Sequence, residues 1–297
     1  MSKATEPGSA SGDSAQCTAQ ECWLALQNLR SQCPLVQCIT NYVSMDIMAN
    51  TLLAIGASPA MVHAEEEVDE FVPISSALLV NIGTLSSAWI KSMHKAASKA
   101  QELRKVWVLD PVGAGATNLR TKTARDLTIS YKPTVIRGNP SEIMALAKSI
   151  CTGVNLQTLD GAQKGVDSSQ SSTSALVPAK SLALECNCVV VVTGKDDYVT
   201  NGSRVITVSN GHPILQKITA AGCSLTAVMA AFVSVRDARD VNQVMNSCAY
   251  ALSIFGIAAE LAMKDPLVKG PGSARMHMLD AYSSIDLKTL KVMAKFS

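Results

Sequence analysis

The chain has 297 residues, of which 17% are charged and 47% are hydrophobic, and its formal net charge is +2 at pH 7. Its Lys and Arg residues are scattered along the sequence, so the chain lacks the basic surface that binds nucleic acid or an anionic membrane. The small share of charged residues favours burial of part of the surface in an oligomer.

Nine cysteines are present, an odd number without any C-x-x-C pair. This usage argues against a disulfide framework and against structural zinc, and it favours a reducing compartment, so we expect a cytoplasmic protein. No uninterrupted apolar run reaches the roughly 20 residues that span a bilayer. Residues 1–15 are rich in Ser, Ala and Gly and lack an apolar signal segment, so we predict a disordered tail there and one domain over residues 16–297.

Short apolar runs alternate with longer helical patterns, and this rhythm predicts βαβ units and an α/β fold around a mostly parallel sheet. The predicted strands are residues 35–40, 60–63, 78–82, 106–109, 134–136 and 189–193. The predicted helices between them are residues 45–55, 86–103, 121–130, 141–148 and 173–185. A Ser-rich loop over residues 168–174 is predicted to be mobile and exposed.

The last third of the chain begins with a predicted hairpin and continues as helices. Asn201-Gly202 separates two short β-branched runs, residues 198–200 and 204–208, which is a strong hairpin pattern. From position 223 onward the pattern is helical, with one helix over 223–235, another from about 240 to 263, and a last one after 272.

Residues 217–226 form a small-residue turn that opens a helix, and such a turn can hold an anion. Gly222 lets the backbone approach a ligand closely, while the free N–H groups and the helix dipole favour negative charge, phosphate above all. Cys223 stands at the mouth of this helix, where we expect the pKa of a thiol to fall below its usual value of about 8.5. The alternative is a packed small-residue helix with a core cysteine.

Chemically capable residues also follow several predicted strands, at the edge where open α/β sheets bind ligands. Asp110 could hold a hydrated Mg²⁺ or orient a hydroxyl, and we expect it to lie outside the core; its alternative role is to cap a turn. Arg137 and Glu142 supply a cation for phosphate and a second carboxylate, although Glu142 is equally typical of a first helical turn. Thr193 could contact a nucleotide phosphate, or simply end its strand.

The motifs of several common nucleotide-binding and hydrolytic sites are missing. The sequence has no G-x-x-x-x-G-K-[ST] P-loop, no G-x-G-x-x-G, no H-E-x-x-H and no G-x-S-x-G. The four histidines show no metal-ligand spacing and are interpreted as structural. Ordinary P-loop and Rossmann folds are therefore disfavoured.

Six segments, taken together and in order, resemble the hydroxyethylthiazole kinase family over roughly residues 30 to 265. They are 39–43 (ITNYV), 56–61 (GASPAM), 79–84 (LVNIGT), 110–116 (DPVGAGA), 136–139 (IRGN) and 221–223 (AGC). The resemblance implies the ribokinase-like fold of that family, a single-domain three-layer α/β/α architecture. Ribokinase relatives normally carry an aspartate base at the end of the anion-binding turn, whereas thiazole kinases carry a cysteine, as this chain does at Cys223.

The resemblance implies transfer of the γ-phosphoryl group of ATP to the primary hydroxyl of 4-methyl-5-(2-hydroxyethyl)thiazole in thiamine synthesis or salvage. It also implies Mg²⁺ as cofactor and a homotrimer with substrate sites between subunits. Carried onto matching positions, it assigns the thiazole to Met61, Ala220 and Asn41, ATP to Arg137, Thr193 and Gly222, the metal to Glu142 and Asp110, and catalysis to Cys223 and Asp110.

One position departs from the family, and two rival functions stay open. Ala220 stands where the family commonly has Gly, and its methyl group would be crowded if the backbone there were left-handed. One rival is a sugar or pyridoxal kinase of the same fold, which Cys223 disfavours. The other is a protein that binds nucleotide without turnover, which the presence of Asp110, Arg137 and Glu142 disfavours.

Overall fold

The computed structural model describes residues 17–151 and 172–297. The predicted tail and residues 168–171 of the predicted Ser-rich loop lie outside the described residues. The strands of the described part are β1 (Leu35–Ile39), β2 (Ser58–Ala60), β3 (Ala77–Asn81), β4 (Val106–Asp110), β5 (Val135–Gly138), β6 (Val189–Val192), β7 (Asp197–Thr200) and β8 (Val205–Val208). They form one sheet in the order β2-β1-β3-β4-β5-β6-β7-β8.

The first six strands are parallel to one another, whereas β7 is antiparallel to both of its neighbours, β6 and β8. The prediction of a mostly parallel α/β sheet with a terminal hairpin is therefore confirmed. Strands β3 and β4 are buried along their whole length, as expected where helices cover both faces of a parallel sheet.

Helices cover the sheet on both sides and complete three layers. The helices are α1 (Ala19–Gln32), α2 (Met45–Ile55), α3 (Val68–Ile74), α4 (Ser87–Glu102), α5 (Asn118–Tyr131), α6 (Pro140–Ile150), α7 (Leu176–Cys186), α8 (Ala221–Ser234), α9 (Val241–Lys264), α10 (Pro271–Ser284) and α11 (Leu287–Met293). One apolar cluster joins the sheet to α1, α2 and α8 to α11, and a second joins it to α3 to α7.

Several predicted elements need correction. The strand predicted over 60–63 is wrong: β2 lies at Ser58–Ala60, because its three residues pair with the start of β1 and the chain then leaves the sheet. Its proline is tolerated since β2 is an edge strand. The helix predicted over 173–185 begins at Leu176, after a 3₁₀ turn over Ser172–Ala175. Within the predicted Ser-rich loop, Ser172 is buried rather than exposed, because it lies against Gly194.

Helices α1 and α3 were not predicted, and the single last helix is two, α10 and α11. Thr18 and Glu21 form a capping box at the start of α1, each side chain accepting a backbone hydrogen bond at the other residue. This Thr-x-x-Glu spacing was the available sequence signal. Helix α3 has only seven residues and contains Pro73, so a helical period hardly develops there.

Helix α9 is the one described helix long and apolar enough to cross a membrane. Its most apolar 18-residue window is 83% buried inside the protein, packed against α8 and α10. It is therefore a core helix.

Candidate active site

Polar side chains converge where the carboxyl ends of the central strands meet the N-terminus of α8. Asn81 and Asp110 end β3 and β4 and are direct partners in the parallel register. Arg137 lies on the next strand, and Thr193 follows the one after it. Cys223 is in the first turn of α8. The sheet order thus assembles residues that are far apart in sequence.

Asp110 is fully buried, so the expectation that it would lie outside the core is wrong. The end of β4 is enclosed by its neighbouring strands and by α8. The Oδ2 atom accepts hydrogen bonds from Asn81 Nδ2 at 2.8 Å and from Thr226 Oγ1 at 2.9 Å. The buried Oδ1 atom has no hydrogen-bond partner and lies 3.9 Å from Nη1 of Arg137. Burial raises the pKa of Asp110, and Arg137, Thr226 and Asn81 oppose that rise.

Arg137 faces the start of α8 across the sheet edge. Its Nη2 donates to Thr193 Oγ1 at 2.6 Å, and its Nε is buried without a partner. A Cβ atom at position 222 would approach Arg137 Nη1 to 2.7 Å, so Gly222 is what allows the guanidinium to lie against the helix. The guanidinium and the first N–H groups of α8 therefore face the same place, which suits a phosphate group.

Glu142 lies in the first turn of α6 and forms a capping box with Asn139. The alternative left open by the sequence, a residue of the first helical turn, is therefore confirmed. Its Oε2 accepts from the backbone N–H of Asn139 at 2.9 Å, and its Oε1 accepts from that of Gly113 at 2.8 Å. Burial first and the Asp110 carboxylate second raise the pKa of Glu142, while both backbone bonds and Arg137 oppose the rise. Glu142 thus fixes the loop after β4 and adds a second buried carboxylate beside Asp110.

Cys223 does not have the lowered pKa expected at a helix N-terminus. Burial and the nearby Asp110 carboxylate raise the pKa of this thiol to about 11. Its Sγ accepts from Asn81 Nδ2 at 3.2 Å and from Asn41 Nδ2 at 3.6 Å, and these contacts and Arg137 only partly offset the rise. At neutral pH Cys223 is therefore a thiol, and it is not a strong base.

Asn81 is the site residue that sequence reasoning missed. Its Nδ2 faces Asp110 and Cys223, and its Oδ1 accepts from Asn41 Nδ2 at 2.8 Å and from the N–H of Gly83 at 2.9 Å. The signal was available, because this asparagine closes an otherwise apolar strand that neighbours the strand ending in Asp110. A polar residue at a buried strand end is expected to have a hydrogen-bond partner.

Ala220 directly precedes α8, and Met61 follows β2; no described hydrogen bond joins either side chain to the polar cluster of the site. Ala220 is the N-cap of α8 with φ 60° and ψ 14°, which is the left-handed conformation that its methyl group disfavours. Met61 is half-buried after β2 and packs on the same apolar cluster as Ala221 and Cys223. Both residues therefore offer a ligand apolar side chains and no hydrogen-bonding side-chain group.

The carboxylate pair fits a divalent cation of the Mg²⁺ type. Asp110 Oδ1 is a buried oxygen without a hydrogen-bond donor, and the Asp110 carboxylate lies near enough to Glu142 to raise the pKa of Glu142. Mg²⁺ is commonly held by one or two carboxylates together with water and substrate phosphates. No cluster of three or more His, Cys, Asp and Glu that could hold a metal occurs within residues 17–151 and 172–297, and for this mode of binding none is needed.

The protein has a three-layer α/β/α fold in which an arginine and a helix N-terminus face one anion site beside buried carboxylates. These features define a phosphotransferase of the ribokinase-like class. A family model described as "Hydroxyethylthiazole kinase family" matches residues 26–288. This chain belongs to that family and is a kinase.

Relatives agree with this assignment over nearly the whole chain. Hydroxyethylthiazole kinase of Zea mays is 48% identical over 276 residues, covering 93% of this chain and 92% of the relative. The enzyme of the same name from Arabidopsis thaliana is 46% identical, covering 90% and 91%. The solved structure of the hydroxyethylthiazole kinase protein from Pyrococcus horikoshii is 38% identical with a TM-score of 0.81, covering 94% and 98%. The resemblance expected from the sequence is confirmed.

A more distant structure shares the fold alone. The pyridoxal kinase of Staphylococcus aureus in complex with AMP-PCP is 14% identical with a TM-score of 0.52, covering 75% of this chain and 88% of that one. The predicted ribokinase-like architecture is thereby confirmed at the level of the fold.

Proposed function

We propose that this protein transfers the γ-phosphoryl group of ATP to the primary hydroxyl of 4-methyl-5-(2-hydroxyethyl)thiazole, in thiamine synthesis or salvage. Family membership supports the reaction, and one observation in the site carries it. Arg137 lies against the N-terminal turn of α8 with its buried Nε unpartnered, beside the buried unpartnered Oδ1 of Asp110. Buried donors and acceptors without partners are costly unless a ligand satisfies them.

The nucleotide side of the reaction belongs to Arg137, Thr193 and Gly222. Phosphoryl transfer depends mainly on positioning and on neutralising charge that spreads over the transferred group. The guanidinium of Arg137 and the N–H groups near Gly222 supply preorganised positive charge in a site largely closed to water. Removal of one such contact costs about 3 kcal/mol of transition-state stabilisation in comparable oxyanion sites.

The acceptor hydroxyl lies between Cys223 and Asp110. Because the pKa of Cys223 is raised to about 11, its thiol orients the hydroxyl without removing the proton. The Asp110 carboxylate accepts the hydroxyl proton, and a loose transition state requires that proton to leave only late. The orientation of Asp110 is fixed by Asn81 and Thr226.

Asp110 and Glu142 would hold Mg²⁺ together with the phosphates of ATP. When bound, the ion neutralises charge on the nucleotide phosphates. The two carboxylates bring negative charge to this edge of the sheet, and this charge repels a phosphate. The positive charge of Arg137 offsets that repulsion. Glu142 also holds the loop after β4 through Gly113.

The thiazole lies against Met61, Asn41 and Ala220. Exposed apolar residues at the same edge, Tyr42 at 72% and Val43 at 58% of their surface, support a homotrimer in which a neighbouring subunit closes the acceptor pocket.

All nine cysteines are free thiols, which supports a reducing compartment such as the cytoplasm. The continuous sheet supports a single catalytic domain over residues 16–297.

The test is ATP-dependent phosphorylation compared across hydroxyethylthiazole, hydroxymethylpyrimidine, pyridoxal and ribose. We expect hydroxyethylthiazole to have the highest kcat/KM. Comparable turnover of pyridoxal or ribose would contradict the substrate assignment. ATP binding without turnover of any acceptor would favour the nucleotide-binding rival. Light scattering at micromolar concentration tests the trimer, and a fully active monomer would refute it.

A further inference from the structure

The turn that joins β6 to β7 carries Thr193 at one end and a buried carboxylate at the other. The backbone N–H of Gly194 donates to Asp197 Oδ1 at 2.8 Å, across the turn. The N–H of Thr193 donates to the carbonyl oxygen of Gly138 at 3.0 Å, and its hydroxyl accepts from Arg137. The turn is therefore fixed both to β5 and to the first residue of β7.

Burial of the Asp197 carboxylate costs more free energy than burial of a neutral residue that only shapes a turn. It is 9% exposed, and burial raises its pKa to about 7. Its Gly194 hydrogen bond and the charge of Arg137 lower that pKa, while the neighbouring Asp196 raises it. A neutral Asn or Ser makes the same kind of turn without desolvating a charge.

The charge of Asp197 is placed where it acts on Arg137. Arg137 interacts electrostatically with Asp110 on the β4 side and with Asp197 on the β7 side. The direct restraint on Arg137 is its hydrogen bond to Thr193, because Thr193 belongs to the turn that Asp197 holds through Gly194.

We propose that Asp197 is a positioning residue for the nucleotide: by holding the 193–197 turn, in which Thr193 accepts the hydrogen bond of Arg137, it sets the geometry of the two ATP contacts. The inference rests on the proposed nucleotide side of the site. It adds a residue that touches neither substrate and acts through Thr193 and Arg137.

The chain offers a matched control in the adjacent residue. Asp196 is a carboxylate of the same turn, but its Oδ1 accepts from Ser209 Oγ at 2.6 Å, outside the Thr193 and Arg137 contacts. Asp197→Ala removes both the hydrogen bond and the charge. Asp197→Asn keeps an oxygen for the Gly194 N–H and removes only the charge. Asp196→Ala removes a carboxylate without touching the restraint.

The experiment measures the Kd of AMP-PCP, a non-hydrolysable analogue of ATP, by calorimetry without acceptor, and then the separate KM values for ATP and hydroxyethylthiazole. We expect Asp197→Ala to weaken AMP-PCP binding and raise the ATP KM by about tenfold, the scale of one lost positioning hydrogen bond. The acceptor KM should stay at its wild-type value. Asp197→Asn should recover most of the loss, and Asp196→Ala should match wild type.

Two results would overturn the inference. One is wild-type AMP-PCP binding by Asp197→Ala. The other is an equal rise in both KM values together with a lower melting temperature, which marks a structural residue only. The proposed function fails separately, if the wild-type enzyme binds AMP-PCP but does not phosphorylate hydroxyethylthiazole with ATP. In that case the AMP-PCP measurement still tests Asp197, since no acceptor is present.

Discussion

Asn81 Nδ2 lies 2.8 Å from Asp110 Oδ2, and these two residues are opposite one another in the register of β3 and β4. The carboxylate is thus oriented by the sheet itself and not by a loop. Because both residues are fully buried, neither can turn to water for a substitute partner. A change at Asn81 therefore acts on the reaction through Asp110.

The first prediction concerns Asn81→Ala. This change leaves Asp110 Oδ2 with Thr226 alone, and it removes one of the two donors to Cys223. We expect kcat to fall about tenfold or more, and stability to fall by roughly 1–3 kcal/mol because the buried N–H of Gly83 loses its acceptor and Asp110 loses one of two donors. Steady-state kinetics and denaturant unfolding measure the two effects. Unchanged kcat with reduced stability would make Asn81 a purely structural residue.

The second prediction concerns the protonation of Cys223. A thiol with a pKa of about 11 is ionised to about one part in a thousand at pH 8, so alkylation by iodoacetamide should be slow there and accelerate as pH rises toward 11. Fast alkylation near pH 7 would contradict the raised pKa.

Cys223→Ser keeps a hydroxyl that can orient the acceptor, so we expect most of kcat to remain, whereas Cys223→Ala should lower kcat about tenfold.

The third prediction compares two glycines at the second position of a helix. In Gly222→Ala the new Cβ meets Arg137 Nη1 at 2.7 Å, whereas in Gly272→Ala it meets nothing within 4 Å. We expect Gly222→Ala to displace the guanidinium and lower kcat/KM for ATP about a hundredfold. Gly272→Ala should keep full activity with equal or slightly higher stability. Full activity of Gly222→Ala would mean that Arg137 can move without consequence.

The fourth prediction is a pH dependence of stability carried by Asp197. Its pKa is about 7 when folded, against an ordinary value of 3.8, so between these values the folded protein holds a proton that the unfolded chain has lost. Stability from this group is therefore greatest below pH 4, falls as pH rises through 4 to 7, and is level above. Asp197→Asn lacks this loss.

Relative to wild type, Asp197→Asn should therefore gain stability from pH 4 to pH 8. The integrated gain is at most about 4 kcal/mol from a shift of about three pKa units. Urea unfolding of both proteins at several pH values measures it. Parallel stability curves would show that Asp197 titrates normally in the folded protein.

The fifth prediction concerns Ala220→Gly. Ala220 is held at φ 60°, and the left-handed conformation costs a non-glycine residue roughly 1–2 kcal/mol. Glycine removes that strain but adds about 0.5–1 kcal/mol of chain entropy to lose on folding, so we expect a small net gain in stability. Thermal unfolding checks this expectation. A clear loss of stability would show that the methyl group makes contacts worth more than the strain.

The sequence predicted the alternation of strands and helices, apart from α1, α3 and the division of the last helix, and it predicted chemically capable residues at the carboxyl ends of strands, because both depend on local patterns. Asp110, Arg137 and Thr193 each follow or end an apolar strand, and the parallel sheet places such ends side by side. Sequence could not predict how deeply they are buried. The expected low pKa of Cys223 relied on its helix position alone, whereas the decisive influences were the enclosing packing and a carboxylate 113 positions earlier in the chain (223 − 110).

Asn81 shows the other limit of sequence reasoning. Its importance lies in a register pairing with Asp110, and only a paired sheet reveals which residues face each other across strands. The left-handed backbone of Ala220 was likewise undetermined, since nothing in the local sequence excludes a negative φ there. It is fixed by the way the chain enters α8.

The hydrogen bond between Asn41 and Cys223 spans 182 positions, and the one between Asp110 and Thr226 spans 116. Such contacts close very long loops, so they form late in folding, after the local helices and hairpin. We therefore expect a refolding chain to regain its helical circular dichroism before it turns over ATP. On that expectation, kinase activity is a more sensitive measure of the native state than secondary structure.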